Sequence, residues 1–262
     1  MIRSLYTAAT GMIAQQLNLD VTANNLANVN TTGFKKSRAD FQDLMYQIVQ
    51  EPGTTTSQSG ISPTGIQLGL GTKPAAVAKL HSQGDFQSTG NPLDVAIEGD
   101  GFFQINLPSG ETAYTRSGSF KLDETGALVT ADGYAVQPQI TIQPEAIGVT
   151  IATDGEVTVQ LPGQPQPATV GQLQIFRFQN PAGLRSMGRS LYQETQASGT
   201  PTQGIPGENG LGTLAQNMLE GSNVSVVEEI VQMVTGQRAY EANSKVIQTA
   251  DQLLSTAINV KR

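Results

Sequence analysis

One histidine, no cysteine and one close run of acids make up most of what this 262-residue chain offers to chemistry. His81 stands in Lys79-Leu80-His81-Ser82-Gln83-Gly84. No acid is placed to orient it and no serine sits in a strand-to-helix elbow, so a nucleophile–base–acid triad is unsupported and a surface or turn histidine is expected. Asp94, Glu98 and Asp100 form the densest acid cluster. A carboxylate pair can hydrolyse a glycosidic bond. Asp94 and Glu98, however, alternate with apolar residues and read as the solvated face of a strand, with Asp100 in a turn.

The remaining candidates are weaker. Gly69-Leu70-Gly71-Thr72-Lys73 has the glycine content of a phosphate loop without its spacing, and Pro74 stands where a helix would have to start. Asp123-Glu124-Thr125-Gly126 and Asp154-Gly155-Glu156 fail the calcium-loop pattern and read as turns. Lys35-Lys36-Ser37-Arg38 reads as the solvated start of the segment 39–49, in which Phe41, Leu44, Met45 and Ile48 fall at helical spacing. Without cysteine there are no disulfides, thiolates or Cys-held metals, and a single histidine excludes sites that need two. The expectation is a chain with no catalytic residues, no metal site and no cofactor, and therefore not an enzyme.

Charge narrows the partners. Twenty-two acids against 15 bases give a net charge of −7, with no basic block to offset it. A nucleic-acid partner and a polybasic membrane contact are both disfavoured. No apolar run reaches the roughly 18 residues of a membrane-spanning helix, so direct membrane insertion is not expected. The first residues, Arg3 to Ala14, are too polar for the apolar region of a cleaved signal, and their pattern runs on past residue 20.

The elements that would carry these residues differ between the ends and the middle. Leu5, Met12, Leu19 and Leu26 recur by sevens, with Ile2, Ala9, Gln16 and Ala23 as a second row three residues earlier. This predicts a heptad helix that stops before Gly33. Leu219, Val226, Met233, Tyr240, Ile247 and Leu254 repeat the pattern at the other end, with Ala239, Val246, Leu253 and Val260 beside them. Gly236 interrupts that stripe and could mark a bend.

Between the ends, alternating residues predict strands around Leu93–Ile97, Phe103–Leu107, Leu128–Thr130, Tyr134–Val136, Ile140–Ile142 and Leu173–Phe178. A hairpin is expected across Asp154-Gly155, bringing Val149, Ile151 and Thr153 to Val157, Val159 and Leu161. The division is therefore a helix over 1–33, a linker with an insertion over 34–74, a β-rich domain over 75–197, a linker over 198–218 and a helix over 219–262. A β domain between them cannot bury two lone terminal helices, so they pair with each other, with other copies, or with both. Their presumed outer faces carry neutral polar residues, in a chain with 27 Gln and 27 Thr, which suits a crowded protein environment.

Ala23-Asn24-Asn25-Leu26-Ala27-Asn28-Val29-Asn30-Thr31-Thr32-Gly33-Phe34-Lys35 resembles the N-terminal signature of the bacterial flagellar rod and hook proteins. Glu220-Gly221-Ser222-Asn223-Val224 and Gln237-Arg238-Ala239-Tyr240-Glu241-Ala242-Asn243 resemble that family's second signature. Asp94–Phe103 and Tyr114–Phe120 match its middle, so the resemblance covers essentially the whole chain. The stretch Gln47–Gly65 and the modest length point to the distal rod rather than to the hook; a proximal-rod or hook-type axial protein is the alternative, and a secreted cell-wall hydrolase a distant one.

The resemblance implies an α+β fold in which the N- and C-terminal helices pair into a coiled-coil-like inner domain, with a central, mainly β domain outside it. The implied function is a structural subunit that polymerises into a rigid hollow shaft and transmits torque from motor to hook. Leu5, Met12, Leu19, Leu26, Met233, Tyr240, Val246, Ile247, Leu253 and Leu254 would hold copies together. The implied partners are other copies, the neighbouring proximal rod and hook proteins, the P- and L-ring proteins and the flagellar type III export apparatus. The implied location is the basal body, from periplasm to outer membrane, reached without a cleaved signal.

Overall fold

The computed structural model describes residues 2–53, 55–57, 60–61, 63–164 and 166–260. The chain divides into two compact units. One gathers Met1–Leu26, Ser37–Ala78 and Ser225–Arg262, and the other Ala27–Lys36 with Lys79–Val224.

The first unit is built on helices α1 (Ile2–Ala27) and α2 (Val226–Val260). They run antiparallel: Gly11 lies against Asn243, Leu19 against Gly236, and Asn25 reaches Glu229. The predicted row Leu5, Met12, Leu19 and Leu26 is half-buried. Its companion row is Ala8, Gln15 and Thr22, three residues later; Gln16 and Ala23 of the expected second row are exposed. Contact here is decided by how closely two backbones can approach, and small side chains at 8, 11 and 22 permit that approach where apolar character alone would not.

Gly236 explains itself in this contact. A β-carbon there would sit 3.1 Å from Leu19 Cδ2, so the glycine is a socket for Leu19. α2 runs through it unbroken from Val226 to Val260. Packing offsets the roughly 1 kcal/mol that glycine costs in a helix. Leu219, expected as the first turn of this helix, instead lies in the strand Met218–Glu220 opposite Gln87.

The segment 34–74, expected as a linker, forms most of a long β-ribbon. Ser37–Asp43 pairs with Thr72–Lys79, Tyr46–Gln50 with Ile66–Gly69, and Thr55–Ser57 with Gly60–Ile61. The helical spacing of Phe41, Leu44, Met45 and Ile48 therefore misleads. Over so short a run the two periods are not separable, and β-branched Ile48, Val49 and Ile66 favour the pleated backbone. Met45, Tyr46, Ile48, Val49, Ile66 and Leu68 remain exposed on the ribbon.

The second unit is β-rich. Its largest sheet is an antiparallel, seven-stranded one in the order Phe120–Leu122, Leu128–Thr130, Ala135–Gln137, Phe103–Asn106, Thr112–Thr115, Leu191–Gln193, Arg185–Gly188. The predicted hairpin is present, with Ile151 opposite Val157 and Val149 opposite Val159; Thr153 and Leu161, expected in it, lie outside the strands Gly148–Ile151 and Glu156–Gln160. Ile140–Ile142 is not a strand but contributes a single bridge from Thr141 to Ala127. The expected linker 198–218 contains Thr202–Gly204, paired with Ile175–Arg177, and Thr213–Gln216, paired with Val95–Glu98. Its glycines and prolines punctuate short strands rather than leave them out. The main core joins Val95, Ile97, Phe103, Phe120, Val136, Val157 and Ile175. A second cluster is aromatic: Phe102, Tyr114, Phe176, Phe178 and Tyr192, with Leu184.

Candidate functional site

Three separate stretches of sequence converge on one buried carboxylate in the second unit. Glu220 closes the strand Met218–Glu220 and its side chain is fully buried. Lys35 donates from Nζ to Glu220 Oε1 at 2.7 Å, and also to the Ser82 carbonyl at 2.7 Å. Arg116 donates from Nε to Glu220 Oε2 at 2.5 Å. Its other nitrogens donate to the carbonyls of Gly101, Ile97 and Gly99. The Gly84 amide completes the Glu220 shell at 2.9 Å. A buried charge is costly unless it is paired and its remaining hydrogen-bonding capacity is filled, and here both conditions are met.

Burial alone would raise the Glu220 pKa, but Arg116 and then Lys35 outweigh it and hold the carboxyl below its ordinary value of 4.5. Burial lowers the Lys35 pKa, an effect the adjacent Glu220 charge opposes. Burial, with the nearby Glu220 charge, pushes the Tyr192 hydroxyl up to about 12.

Backbone bonds tie the same stretches together. The Gly33 amide donates to the Glu220 carbonyl at 2.9 Å. The Lys36 amide donates to Asn223 Oδ1 at 2.7 Å, and Asn223 Nδ2 donates to the carbonyls of Leu80 and Ser82. Gly33 has φ +68°, and a β-carbon on it would lie 2.7 Å from the Ser117 amide nitrogen. Only glycine meets both demands, which is why the turn that ends the first signature carries it.

A second knot lies within the first unit. Asn25, 1% exposed, accepts from the Ser37 amide at 2.9 Å and donates to the Ser37 carbonyl at 2.8 Å and to Glu229 Oε2 at 3.2 Å. One amide side chain thus binds the first residue of the ribbon and the first turns of α2. Asn25→Ala is expected to destabilise this unit by about 1–3 kcal/mol, the cost of stranding buried polar partners. Urea denaturation followed by helical circular dichroism reads that loss.

The signature residues divide by role. Asn25, Thr32, Gly33 and Phe34 make internal contacts: the Thr32 hydroxyl meets the Ser117 hydroxyl at 3.3 Å, and Lys79 Nζ stands 4.9 Å over the Phe34 ring. Thr31 bonds Asn28 at 3.2 Å within the turn. Leu26 and Ala239 are half-buried, whereas Ala23, Asn24, Ala27, Asn30, Gln237, Arg238, Tyr240 and Glu241 are exposed. The residues expected to hold copies together also divide. Leu5, Met12, Leu19, Leu26, Met233, Ile247 and Leu254 are half-buried, while Tyr240, Val246 and Leu253 are exposed. Val246 and Leu253, with Val227, Val231 and Val234, leave exposed apolar side chains on the side of α2 away from Gly236, whereas Tyr240 and Ile258 fall nearer the Gly236 side.

Several expectations are corrected here. Lys35, expected to be solvated, is 1% exposed, because Glu220, 185 residues away, pairs with it. Asp94, expected on a solvated strand face, is 6% exposed and accepts from Asn91 at 3.0 Å. Glu98 and Asp100 are exposed. Asp123 makes the turn predicted for it, accepting from the Thr125 and Ala127 amides. His81 is not a surface residue: its ring meets Phe102 and Tyr192 edge-on at 5.5 and 5.4 Å. The Glu220–Lys35–Arg116 joint was missed as a site, although each member lies inside a stretch that carries the family resemblance.

Three family models match the chain. Residues 5–35 match the flagella basal body rod protein, residues 96–159 the D1 domain of the flagellar hook protein FlgE/F/G, and residues 215–260 the C-terminal part of the flagellar basal body rod FlgEFG protein. A flagellar basal-body rod protein FlgG of Buchnera aphidicola is 53% identical over 97% of this chain and 98% of its own. Its counterpart in Caulobacter vibrioides is 52% identical over 99% and 100%, and that of Bacillus subtilis 43% identical over the whole of both chains.

Proposed function

The chain belongs to the flagellar basal-body rod protein family, and from that premise we propose that it builds the distal rod, a rigid hollow shaft that carries torque from motor to hook. It is a structural subunit of the flagellar basal body. The proposal adds where and how. Helix pairs from many copies form the inner wall of a tube, and the β-rich region forms its outer shell. The shaft turns within the P and L rings between periplasm and outer membrane, with proximal rod and hook proteins at its ends, and subunits arrive through the flagellar type III export apparatus.

The observation that supports polymerisation is the uncovered apolar surface of α2. Val227 is 73% exposed, Val231 57% and Leu253 55%, on a helix whose opposite side is already packed against α1. A single chain cannot cover both sides. Surfaces of this kind mark interaction sites, and a second copy supplies the same apolar chemistry. Cryo-electron microscopy of the polymer formed by the purified chain tests the reading. Hollow tubes with Val246 and Leu253 buried between copies support it; tubes in which both face solvent overturn it.

The β-ribbon is the second assembly element in this proposal. Two strands with exposed apolar residues and open edges order further by adding to neighbouring chains. Deleting Gln47–Gly65 removes the outer part of the ribbon and leaves both helices intact. Polymers should still form, but curved or more flexible. Straight, stiff rods from the deletion chain, seen in electron micrographs, would reduce the ribbon to a spacer.

A further inference from the structure

His81, whose ring nitrogens are buried, is a titratable side chain at the joint that the assembly reading leaves without a role. It is the only histidine of the chain. Both ring nitrogens are out of solvent, and neither makes a hydrogen bond of ordinary geometry among the described residues. The Pro181 carbonyl lies on the side that would favour a proton, the one such influence. Burial and three nearby cations oppose it. Lys35, Lys79 and Arg116 all raise the positive potential at the ring. These come from three elements: the 27–36 turn, the end of the strand Thr72–Lys79, and the residue after Thr112–Thr115. Phe102 and Tyr192 close it in with aromatic edges. Arg177 and Asp100 line the same cavity of about 120 Å³, and Glu220 is already committed to Lys35 and Arg116.

We propose that His81 is an acid-sensitive release built into the joint. Neutral, the ring packs against Phe102 and Tyr192 and tolerates Lys35 and Arg116 on Glu220, with Lys79 beside them on the Lys35 carbonyl. Protonated, it adds a further positive charge beside Lys35, Lys79 and Arg116, with Glu220 already committed and solvent-exposed Asp100 the other carboxylate of the cavity, and the docking of residues 27–36 onto the β-rich unit weakens. The inference is independent of polymerisation, since every group it uses lies within one unit of one chain.

The sign follows from linkage. Burial, with Lys35, Lys79 and Arg116, holds the His81 pKa at about 4 instead of 6.5. A base depressed in the folded state contributes its full stability above 6.5, and that contribution is lost as pH falls toward the folded value. Between pH 7 and pH 5 the unfolded chain takes up a proton that the folded chain refuses. The unfolding constant of this unit should therefore rise about 20-fold over that interval. The window lies above the carboxylate range, so Glu220 does not contribute to it.

Two measurements on the full chain test this. The imidazole carbon–proton resonance of His81, the only one in the spectrum, should titrate well below pH 6 in the folded protein. Urea unfolding followed at the Val95 and Ile97 methyls should show the 20-fold loss for the natural chain. The loss should shrink to less than threefold for His81→Phe, which keeps a ring against Phe102 and Tyr192. A His81 midpoint near 6.5, or equal pH dependence in the two chains, overturns the proposal. The resonance titration decides the matter even if His81→Phe does not fold.

Discussion

Val246→Asp combined with Leu253→Asp is expected to abolish polymer formation while both units stay folded. The two side chains are 45% and 55% exposed in the single chain, so aspartate there meets water and costs the monomer little. In a tube built on this face they become buried. Each change then removes about half of the roughly 1.5–3 kcal/mol that full burial is worth, and places a charge in a contact that cannot solvate it. Tenfold in association per 1.4 kcal/mol makes the critical concentration rise by two orders of magnitude or more. Sedimentation of the polymer, with circular dichroism of the supernatant, reads both halves of the claim. Normal polymers from the double variant would show that copies meet elsewhere. Leu19→Asp is a useful contrast: Leu19 packs on Gly236 in the same chain, so that change should damage the helix pair itself.

Glu220→Gln should be the most damaging single change to the β-rich unit, at about 3–5 kcal/mol, because it leaves Lys35 and Arg116 buried without a counter-charge. Urea unfolding followed at the core methyls measures the loss. Lys35→Met, Arg116→Leu and Glu220→Leu together should cost less than Glu220→Gln alone, since no unpaired charge remains. A loss under about 1 kcal/mol for Glu220→Gln would mean that the cations find other partners. The acid limb carries a second signature. Glu220 is held below its ordinary pKa, so its contribution is fully present above 4.5 and is lost as pH falls through the folded value. That part of the acid transition should flatten in Glu220→Gln.

Periodicity made the two terminal helices legible, because seven-residue spacing survives any amount of ignorance about partners. The alternation around Val95–Ile97 and Phe103–Ile105, and the Asp154-Gly155 turn, placed strands for the same reason: both signals are local. The residues of the family signatures were legible as well, and they named the family. Their roles were not. Nothing near Lys35 in the chain announces that Glu220, 185 residues later, will bury it. A charge run read alone defaults to solvent. Asn25 looked like one more polar residue at a helix end until Ser37 and Glu229 closed around it.

The ribbon shows the converse error. Gly, Thr, Ser and Pro in 50–65 describe a chain without a core of its own, which composition can see. Whether such a chain pairs with itself depends on strands that face each other across a turn, which it cannot. Gly236 is the sharpest case. Helix propensity counts it as a defect, and at the sequence level that is correct. Only the opposed helix, with Leu19 at the same height, turns the missing side chain into the space that sets the contact. Local spacing and motif were enough for the two terminal helices, the alternating strands of the middle and the family, and not for the strands of 37–69 or 202–216. The tertiary structure decided which polar and small residues hold them together, because pairing energies act between groups that the chain order keeps far apart.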